Sequence, residues 1–337
     1  MADSLSSGFD RSAVAGFRAY EPRLSVVIPH YNHERFLGEA LAAIMEQSRT
    51  PDEVVLVDDA SSAESMKIVE TVLARYPTVR FLPRASNGGV LAACETGFAA
   101  ATGEYIAFMS ADDRLAPGAI ERVAGVLAVH GNTGLVFSDA AEMEEGGENP
   151  LLNSLWLADH SRHFSPQEFQ RLLASSFFYI STESVWFKAT ALRAFGGFDE
   201  RLRWHADLYA AYGVGMAYGA TYVPGAHSYF RRSATSYSSS RFNSEVQVEV
   251  LEAWLAKTRE ATDWDARTAF RIAAVLPDYG RAAVRALCSD SEFVSTRLIW
   301  RILSRNLWRS LRSVLPSSIR RWVRRVLSLR TSRFCYF

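Results

Sequence analysis

The chain has 337 residues, of which 48% are hydrophobic and 22% charged, a composition that predicts a globular unit with an ample core plus an appendage. The three cysteines are odd in number and lack metal-like spacing, which argues against a disulfide framework and favours a reducing compartment. The net charge of +0 hides a split, because residues 1–292 carry a net charge of −11 and residues 293–337 carry eleven arginines and no acidic residue. This split predicts an anionic partner for the C-terminal tail.

Residues 1–22 form a polar, flexible lead-in without an apolar segment, so no signal peptide is expected. No apolar stretch reaches the roughly 18 residues of a membrane span. Apolar, β-branched runs predict strands at 24–29, 53–59, 79–83, 104–109 and 133–139. Apolar residues at helical spacing predict helices at 35–47, 63–76, 89–102 and 117–130. This alternation indicates an α/β fold with a mostly parallel sheet covered by helices on both faces.

The pattern becomes irregular from about residue 140. A serine N-cap and a proline at the first helical position predict a helix at 165–175. Residues 183–212 alternate apolar and polar side chains and turn at Gly196-Gly197. We therefore divide the domain 23–240 into a first half, 23–139, and a second layer, 140–240, built onto the same sheet. A helical extension (241–292) and the basic tail (293–337) follow.

Three polar clusters follow strands: "PHYNH" after the first, "DDAS" after the second and "SADD" after the fourth. Ligands of parallel α/β sheets bind beyond the carboxyl ends of the strands, so the three clusters predict one site. The first strand is not followed by G-x-G-x-x-G or by a Walker-type lysine, which argues against nicotinamide, flavin and P-loop sites.

The carboxylates after the second strand, Asp58 and Asp59, can accept hydrogen bonds from ribose hydroxyls or from the imide N–H of a base. The structural alternative is that one of them caps the following helix, a role that Ser61 can also take. The functional interpretation is favoured by the position of the pair beside the other two clusters.

Asp112 and Asp113 repel each other unless a cation lies near them. Mg²⁺ or Mn²⁺ prefers oxygen ligands and is typically held by one or two carboxylates together with substrate phosphates. Such an ion would also neutralise a diphosphate leaving group. The alternative is a solvated turn in which Asp113 caps the helix at 117.

Taken together, several segments resemble family-2 glycosyltransferases of the GT-A fold. The resemblance runs in order over residues 23–240 and is carried by "SVVIPHYNHERFLGEALAAIMEQ", "EVVLVDDASS", "RASNGG", "GEYIAFMSADDRL" and "GGFDERLRWHADLY". It implies inverting transfer of a sugar from a nucleoside diphosphate to an acceptor, usually with Mn²⁺ or Mg²⁺.

The resemblance also implies roles for individual residues on the donor side. Pro29 and Tyr31 would flank the base, Asp59 would accept its imide N–H, and Asn87 would belong to the same nucleotide-sugar site. Uracil and thymine present the same imide, so UDP and dTDP both fit this expectation.

The D-x-D element of the family corresponds to Ser110-Ala111-Asp112. Asp112 is then the main metal and diphosphate ligand, with Asp113 in support, and Asp207 is the best match for the catalytic base, ahead of His205. Ser110 replaces the first aspartate of the element, and Cys94 and Glu95 stand where many members have Arg-Asn. Arg231 and Arg232 lie where a loop could close over the phosphates, or they are surface arginines.

Trp204 is interpreted as a core residue ahead of an acceptor platform. The tail combines an apolar stripe, which includes Trp322, with neighbouring arginines, a pattern typical of helices at anionic membrane surfaces. Packing of the tail on the acidic body or on another subunit is the alternative, and nucleic-acid binding is not expected. This interpretation predicts a cytoplasmic enzyme that is peripheral at the inner face of the membrane. It also predicts a glycan or lipid-linked acceptor.

Two other functions compete with a glycosyltransferase. A glycoside hydrolase would also use paired carboxylates, but three polar clusters at the ends of parallel strands suit a nucleotide better. A degenerate transferase domain that binds sugar nucleotides or anchors partners without catalysis is the second alternative, and Ser110 and Cys94 are the residues that favour it.

Overall fold

The computed structural model describes residues 21–144, 146, 150–175, 179–231 and 244–260. Most of the lead-in 1–22, the greater part of the extension 241–292, the basic tail, Cys288, Cys335 and Arg232 lie outside the described residues. The strands are β1 (Leu24–His30), β2 (Glu53–Asp58), β3 (Arg80–Pro83), β4 (Tyr105–Phe108), β5 (Arg114–Leu115), β6 (Leu135–Met143), β7 (Leu151–Asn153), β8 (Arg162–Phe164), β9 (Trp186–Lys188) and β10 (Ala220–Arg231). The helices are α1 (Glu34–Met45), α2 (Ala63–Leu73), α3 (Val90–Ala100), α4 (Ala119–Val129), α5 (Pro166–Ser175), α6 (Ala189–Phe195), α7 (Ala206–Tyr218) and α8 (Ser244–Glu260). Two short 3₁₀ segments, Thr182–Ser184 and Glu200–His205, precede β9 and α7.

These strands form one sheet in the order β3-β2-β1-β4-β9-β6-β10-β5, with β7 on β6 and β8 on β10. The first four strands in this order are parallel, and β6 is parallel to β10. The short β9 runs antiparallel between β4 and β6. The expected parallel sheet is therefore continuous only from β3 to β4, because β9 enters the sheet from the second half of the chain.

Helices cover both faces of the sheet. Successive residues of β1 point to opposite faces, so Val27 packs in one core with Ala93 and Phe98 of α3. Val26 points the other way, into the core on the α1 and α4 face. The stretch 183–212, which alternates in sequence, forms β9, α6 and the beginning of α7 rather than long strands.

The helix α8 packs against the 3₁₀ segment Glu200–His205. Trp254 of α8 meets the rings of His205 and Tyr209 edge-on at centroid distances of 5.6 and 5.1 Å. Lys257 Nζ lies 2.8 Å from Asp199 Oδ2. This helix therefore supports the chain segment that leads into α7.

Candidate active site

A cavity of about 210 Å³ lies at the carboxyl ends of β1, β4 and β10. Five of the residues expected at the site line it: Pro29, Ser110, Asp112, Asp113 and Asp207. The strand order explains this arrangement, because β1 lies between β2 and β4 and all three are parallel. The geometry thus brings the acidic pair and the expected base together, while their individual roles stay predictions.

Asp112 and Asp113 are the acidic pair of the cavity, and both are buried. Ser110 Oγ donates a hydrogen bond of 2.5 Å to Asp112 Oδ1, and the backbone N–H of Arg231 donates one of 2.8 Å to Asp113 Oδ1. Burial raises the pKa of Asp113 well above its usual range, and the charges of Glu183 and Asp112 raise it further. Ionisation of Asp113 is therefore unfavourable unless a cation lies beside it.

This donor set fits Mg²⁺ or Mn²⁺. Within the described ranges, no three His, Cys, Asp or Glu side chains converge into a group that could hold a metal by itself. A hard divalent ion does not need such a group, because one or two carboxylates, waters and substrate phosphates complete its ligands. Asp112 and Asp113 are the two oxygen donors that would hold it.

Asp207 lies in the first turn of α7. Thr182 Oγ1 donates a hydrogen bond of 2.5 Å to Asp207 Oδ2, and the Leu208 N–H donates one of 2.7 Å to Oδ1. Burial raises the pKa of Asp207 to about 6, while the Thr182 bond opposes the rise and the charge of Glu183 adds to it. A carboxylate with this pKa is ionised at neutral pH and is a better proton acceptor than an ordinary aspartate.

His205, the alternative base, does not line the cavity. It is buried, and its Nε2 lies 3.1 Å from Nε2 of Gln247 in α8. Its ring packs edge-on against Trp254. The geometry therefore favours Asp207 over His205 for contact with a substrate.

The three remaining expected residues lie along the same edge of the sheet but outside the cavity. The Asp59 carboxylate accepts hydrogen bonds from the backbone N–H groups of Gly88 (3.0 and 3.2 Å) and Gly89 (2.7 Å) and pairs with Arg84. Asn87 Oδ1 also accepts from Gly89, at 3.1 Å. Tyr31 follows β1 with 49% of its surface exposed. Binding of the nucleotide's base by these three residues stays a prediction.

Helix capping does not account for these aspartates. Ser62, rather than Asp58, Asp59 or Ser61, is the N-cap of α2, and its side chain accepts from the Ser65 N–H. Burial opposes ionisation of Asp58, but hydrogen bonds from Ser61 and His30 lower its pKa below the usual value. Asp58 thus ties the end of β1 to the loop after β2.

The alternative expectation is that Asp113 caps the helix at 117. The N-cap residue of α4 is instead Gly118. The carboxylate of Asp113 instead faces the cavity and the end of β10. The structural alternative for this aspartate is therefore wrong.

The expectation for Arg231 needs correction. Arg231 is buried at the end of β10 rather than on a closing loop or the open surface. Its Nη2 lies 2.7 Å from Glu39 Oε2, its Nε donates to the Asp112 carbonyl at 2.9 Å, and its guanidinium carbon lies 4.2 Å from the centre of the Phe36 ring. This arginine holds the acidic loop in place.

Sequence reasoning missed Thr182 and Glu183, which line the cavity together with the acidic pair and Asp207. No motif marks them, and the only signal is a carboxylate immediately before the apolar run "SVWF". Trp204, expected mainly in the core, is half-buried and lines the cavity. A larger cavity of about 760 Å³, near His130 and Lys188, contains none of the expected site residues.

Comparison with known proteins places the chain in a family. The profile described as "Glycosyl transferase family 2" matches residues 25–193, half of the chain. The chain belongs to glycosyl transferase family 2. The stretch matched contains β1 to β9 with the acidic pair, and Asp207 lies beyond its end.

Curated relatives of this family-2 glycosyltransferase match part of its length. The O-antigen biosynthesis protein RfbC of Myxococcus xanthus is 32% identical over 153 residues, 42% of this chain and 12% of RfbC. Glycosyltransferase GlyG of Streptococcus pneumoniae is 35% identical over 98 residues, 29% of this chain and 33% of GlyG. The chain thus spans well under half the length of these relatives.

Solved structures establish the GT-A fold. S. aureus TarS in complex with UDP-GlcNAc aligns with a TM-score of 0.58 and 18% identity, covering 76% of this chain and 72% of the TarS chain. The mannosyltransferase PcManGT from Pyrobaculum calidifontis, in complex with GDP-Man and Mn²⁺, aligns with a TM-score of 0.58 and 20% identity, covering 94% and 85%. At these identities the likeness concerns the fold alone.

Proposed function

We propose that this family-2 glycosyltransferase moves a sugar, with inversion, from UDP-sugar or dTDP-sugar to a hydroxyl of a glycan or lipid-linked acceptor. The observation that carries the proposal is that Asp112, Asp113 and Asp207 line one cavity of about 210 Å³. The acidic pair suits a cation and a diphosphate, and the same cavity holds a carboxylate with a pKa of about 6. The nucleotide-sugar complexes of the structural neighbours support the donor class.

The reaction follows from the charges along the cavity. Asp207 accepts the proton of the acceptor hydroxyl as the oxygen attacks the anomeric carbon. Attack on the face opposite the departing diphosphate inverts the anomeric centre. When bound to Asp112 and Asp113, Mn²⁺ or Mg²⁺ supplies positive charge where negative charge develops on the leaving diphosphate. Thr182 keeps the Asp207 carboxylate oriented through its hydroxyl.

The donor side is proposed to lie along the edge of the sheet next to the cavity. Asp59 would accept the imide N–H of the base, Pro29 and Tyr31 would flank the base, and Asn87 would contribute at the turn before α3. Backbone N–H groups already orient the Asp59 carboxylate. Binding of a pyrimidine ring beside Asp59 therefore costs little side-chain conformational entropy, because this carboxylate is already held in place.

We further propose a role in the assembly of a surface polysaccharide or glycolipid on the cytoplasmic side of a membrane. The name of the M. xanthus relative, an O-antigen biosynthesis protein, supports this context. The eleven arginines of residues 293–337 support binding to an anionic membrane surface. Among the described residues, no helix has the length and apolar character that crossing a bilayer requires.

The test is a screen of sugar nucleotides for hydrolysis and transfer with Mn²⁺. We expect turnover of at least one UDP- or dTDP-sugar, and we expect Asp207→Asn to lower the rate by about 10²- to 10⁴-fold while nucleotide binding persists. The alternative, a non-catalytic sugar-nucleotide-binding protein, predicts a different result. The wild type would then bind the nucleotide without turnover, and Asp207→Asn would leave that binding unchanged.

A further inference from the structure

The cavity is lined by four carboxylates and two arginines, and the two arginines differ in their contacts. Its carboxylates are Asp112, Asp113, Glu183 and Asp207. Arg231 is engaged by Glu39, by the Asp112 carbonyl and by the ring of Phe36. Arg203 is exposed and lines the same cavity. Within the described part of the chain, no hydrogen bond or ion pair engages its guanidinium.

The backbone at Arg203 is strained. Its φ of 45° and ψ of −120° interrupt the 3₁₀ segment Glu200–His205. Glycine adopts this region readily, whereas a residue with a Cβ pays a steric cost there. Strain of this kind is common at functional sites, and here it lies four residues before Asp207.

Trp204, the next residue, supplies an aromatic surface in the same cavity. Its Nε1–H donates a hydrogen bond of 2.9 Å to Oε1 of Gln247 in α8. Gln247 is buried, so the indole is held from the side of α8. A fixed indole is suited to packing against the apolar face of a sugar ring.

We propose that the acceptor is an anionic sugar, carrying a carboxylate or a phosphate, and that Arg203 selects it while Trp204 packs against its ring. The inference rests on the proposed function, because it treats the surroundings of Asp207 in this cavity as the acceptor site. A guanidinium binds carboxylate or phosphate through paired, charge-assisted hydrogen bonds. An anion entering a cavity lined by four carboxylates needs such a partner, whereas a neutral sugar does not.

Matched ligand pairs test the proposal on the full chain with Mn²⁺ and whichever of UDP, dTDP or GDP it binds. Dissociation constants are measured by NMR titration for methyl glucuronide against methyl glucoside, methyl galacturonide against methyl galactoside, and glucose 6-phosphate against glucose. We expect the anionic member of at least one pair to bind about tenfold more tightly than its neutral partner. The first two pairs report on carboxylate recognition, and the third reports on phosphate.

Variants at Arg203 separate selection from a structural role. Arg203→Gln should abolish the anionic preference, and Arg203→Lys should keep part of it. Arg203→Gly should also abolish the preference without lowering the thermal midpoint, since glycine fits this backbone conformation. Arg201→Gln is the matched control, because Arg201 is bonded to Asp199 rather than facing the cavity, and it should keep the preference.

Several outcomes would overturn the proposal. One is a panel in which no anionic sugar is preferred, and another is a preference that survives Arg203→Gln. A loss of nucleoside-diphosphate affinity in Arg203→Gln would assign the residue to the donor phosphates instead. If the wild type binds no nucleoside diphosphate, the proposed function fails as well, whereas nucleotide binding without anionic preference refutes this inference alone.

Discussion

Asp207 combines two environments that act on its charge in opposite directions. It lies in the first turn of α7, where the helix N-terminus favours a negative charge, and it accepts hydrogen bonds from Thr182 and from the Leu208 N–H. Burial and the nearby Glu183 act the other way and prevail, raising its pKa to about 6. The side chain is therefore set to change protonation within the pH range of ordinary assays.

The pH dependence of transfer should report this pKa. In its proposed role as the base, Asp207 is active only when ionised, so the rate should be constant above about pH 7 and fall about tenfold per pH unit below pH 6. The measurement is kcat/KM for a nucleotide sugar between pH 4.5 and 8.5. An acid limb near pH 4, typical of an unperturbed aspartate, would contradict the assignment.

Replacing the hydroxyl that bonds to Asp207 should move this limb. Thr182→Val removes a hydrogen bond that stabilises the carboxylate, so the pKa of Asp207 should rise and the acid limb should shift to higher pH. Thr182→Ser keeps the hydroxyl and is the control. Identical profiles for the Val and Ser variants would show that the hydrogen bond does not tune the base.

At the scale of elements, the contact between α3 and β1 depends on a glycine. A Cβ built at Gly97 would lie 2.3 Å from Val27 Cγ1 and 3.1 Å from Val57 Cγ2. Gly125 lies within α4, where a Cβ would meet nothing within 4 Å. The two positions form a matched pair, since both are helical glycines and only one faces the sheet.

Gly97→Ala should lower the free energy of unfolding by about 1–3 kcal/mol, because α3 must move away from the sheet. Gly125→Ala should raise it by up to about 1 kcal/mol, since alanine is the better helix former and nothing obstructs it. Urea denaturation followed by circular dichroism measures both. Equal effects of the two substitutions would mean that α3 does not pack this closely.

The extent to which the sequence predicts the structure differs between the two halves of the chain. The runs at 24–29 and 53–59 are apolar and β-branched, and they form β1 and β2 almost residue for residue. Because parallel strands end at one edge, the position of "PHYNH", "DDAS" and "SADD" along one edge of the sheet could be inferred as well, although no residue of "DDAS" lines the cavity. Both inferences depend on local pattern and on strand direction alone.

The second half could not be derived in the same way. The position of Glu183 depends on β9 pairing antiparallel with both β4 and β6, a contact between segments about 80 and 50 residues apart. Periodicity does not encode such pairing. Apolar and polar residues alternate along "ESVWFKATAL", although the residues after β9 form the beginning of α6. The burial of Arg231 has the same origin, because it follows from pairing of β10 beside β6.

On the scale of the whole molecule, the distribution of charge has consequences for location. Residues 1–292 carry a net charge of −11, so an anionic membrane should repel this part, whereas the eleven arginines of residues 293–337 should be attracted to it. Binding to lipid should therefore depend on the tail and weaken with salt.

The full chain should co-sediment with vesicles that contain phosphatidylglycerol and remain in solution with phosphatidylcholine alone. A chain that ends at residue 292 should not co-sediment, and 0.5 M salt (a screening length of roughly 4 Å) should release the full chain. Equal binding of both chains would contradict the role proposed for the tail. Binding to neutral vesicles would show that charge is not the cause.

The most direct test of the central claim is the position of manganese in crystals grown with Mn²⁺ and UDP or dTDP. Anomalous diffraction should show one manganese peak within bonding distance of carboxylate oxygens of Asp112 or Asp113 and of the nucleotide's diphosphate. Asp112→Ala should remove the peak under the same conditions. A nucleotide bound along the β1–β4 edge with no manganese at the acidic pair would contradict the metal-assisted transfer proposed for this protein.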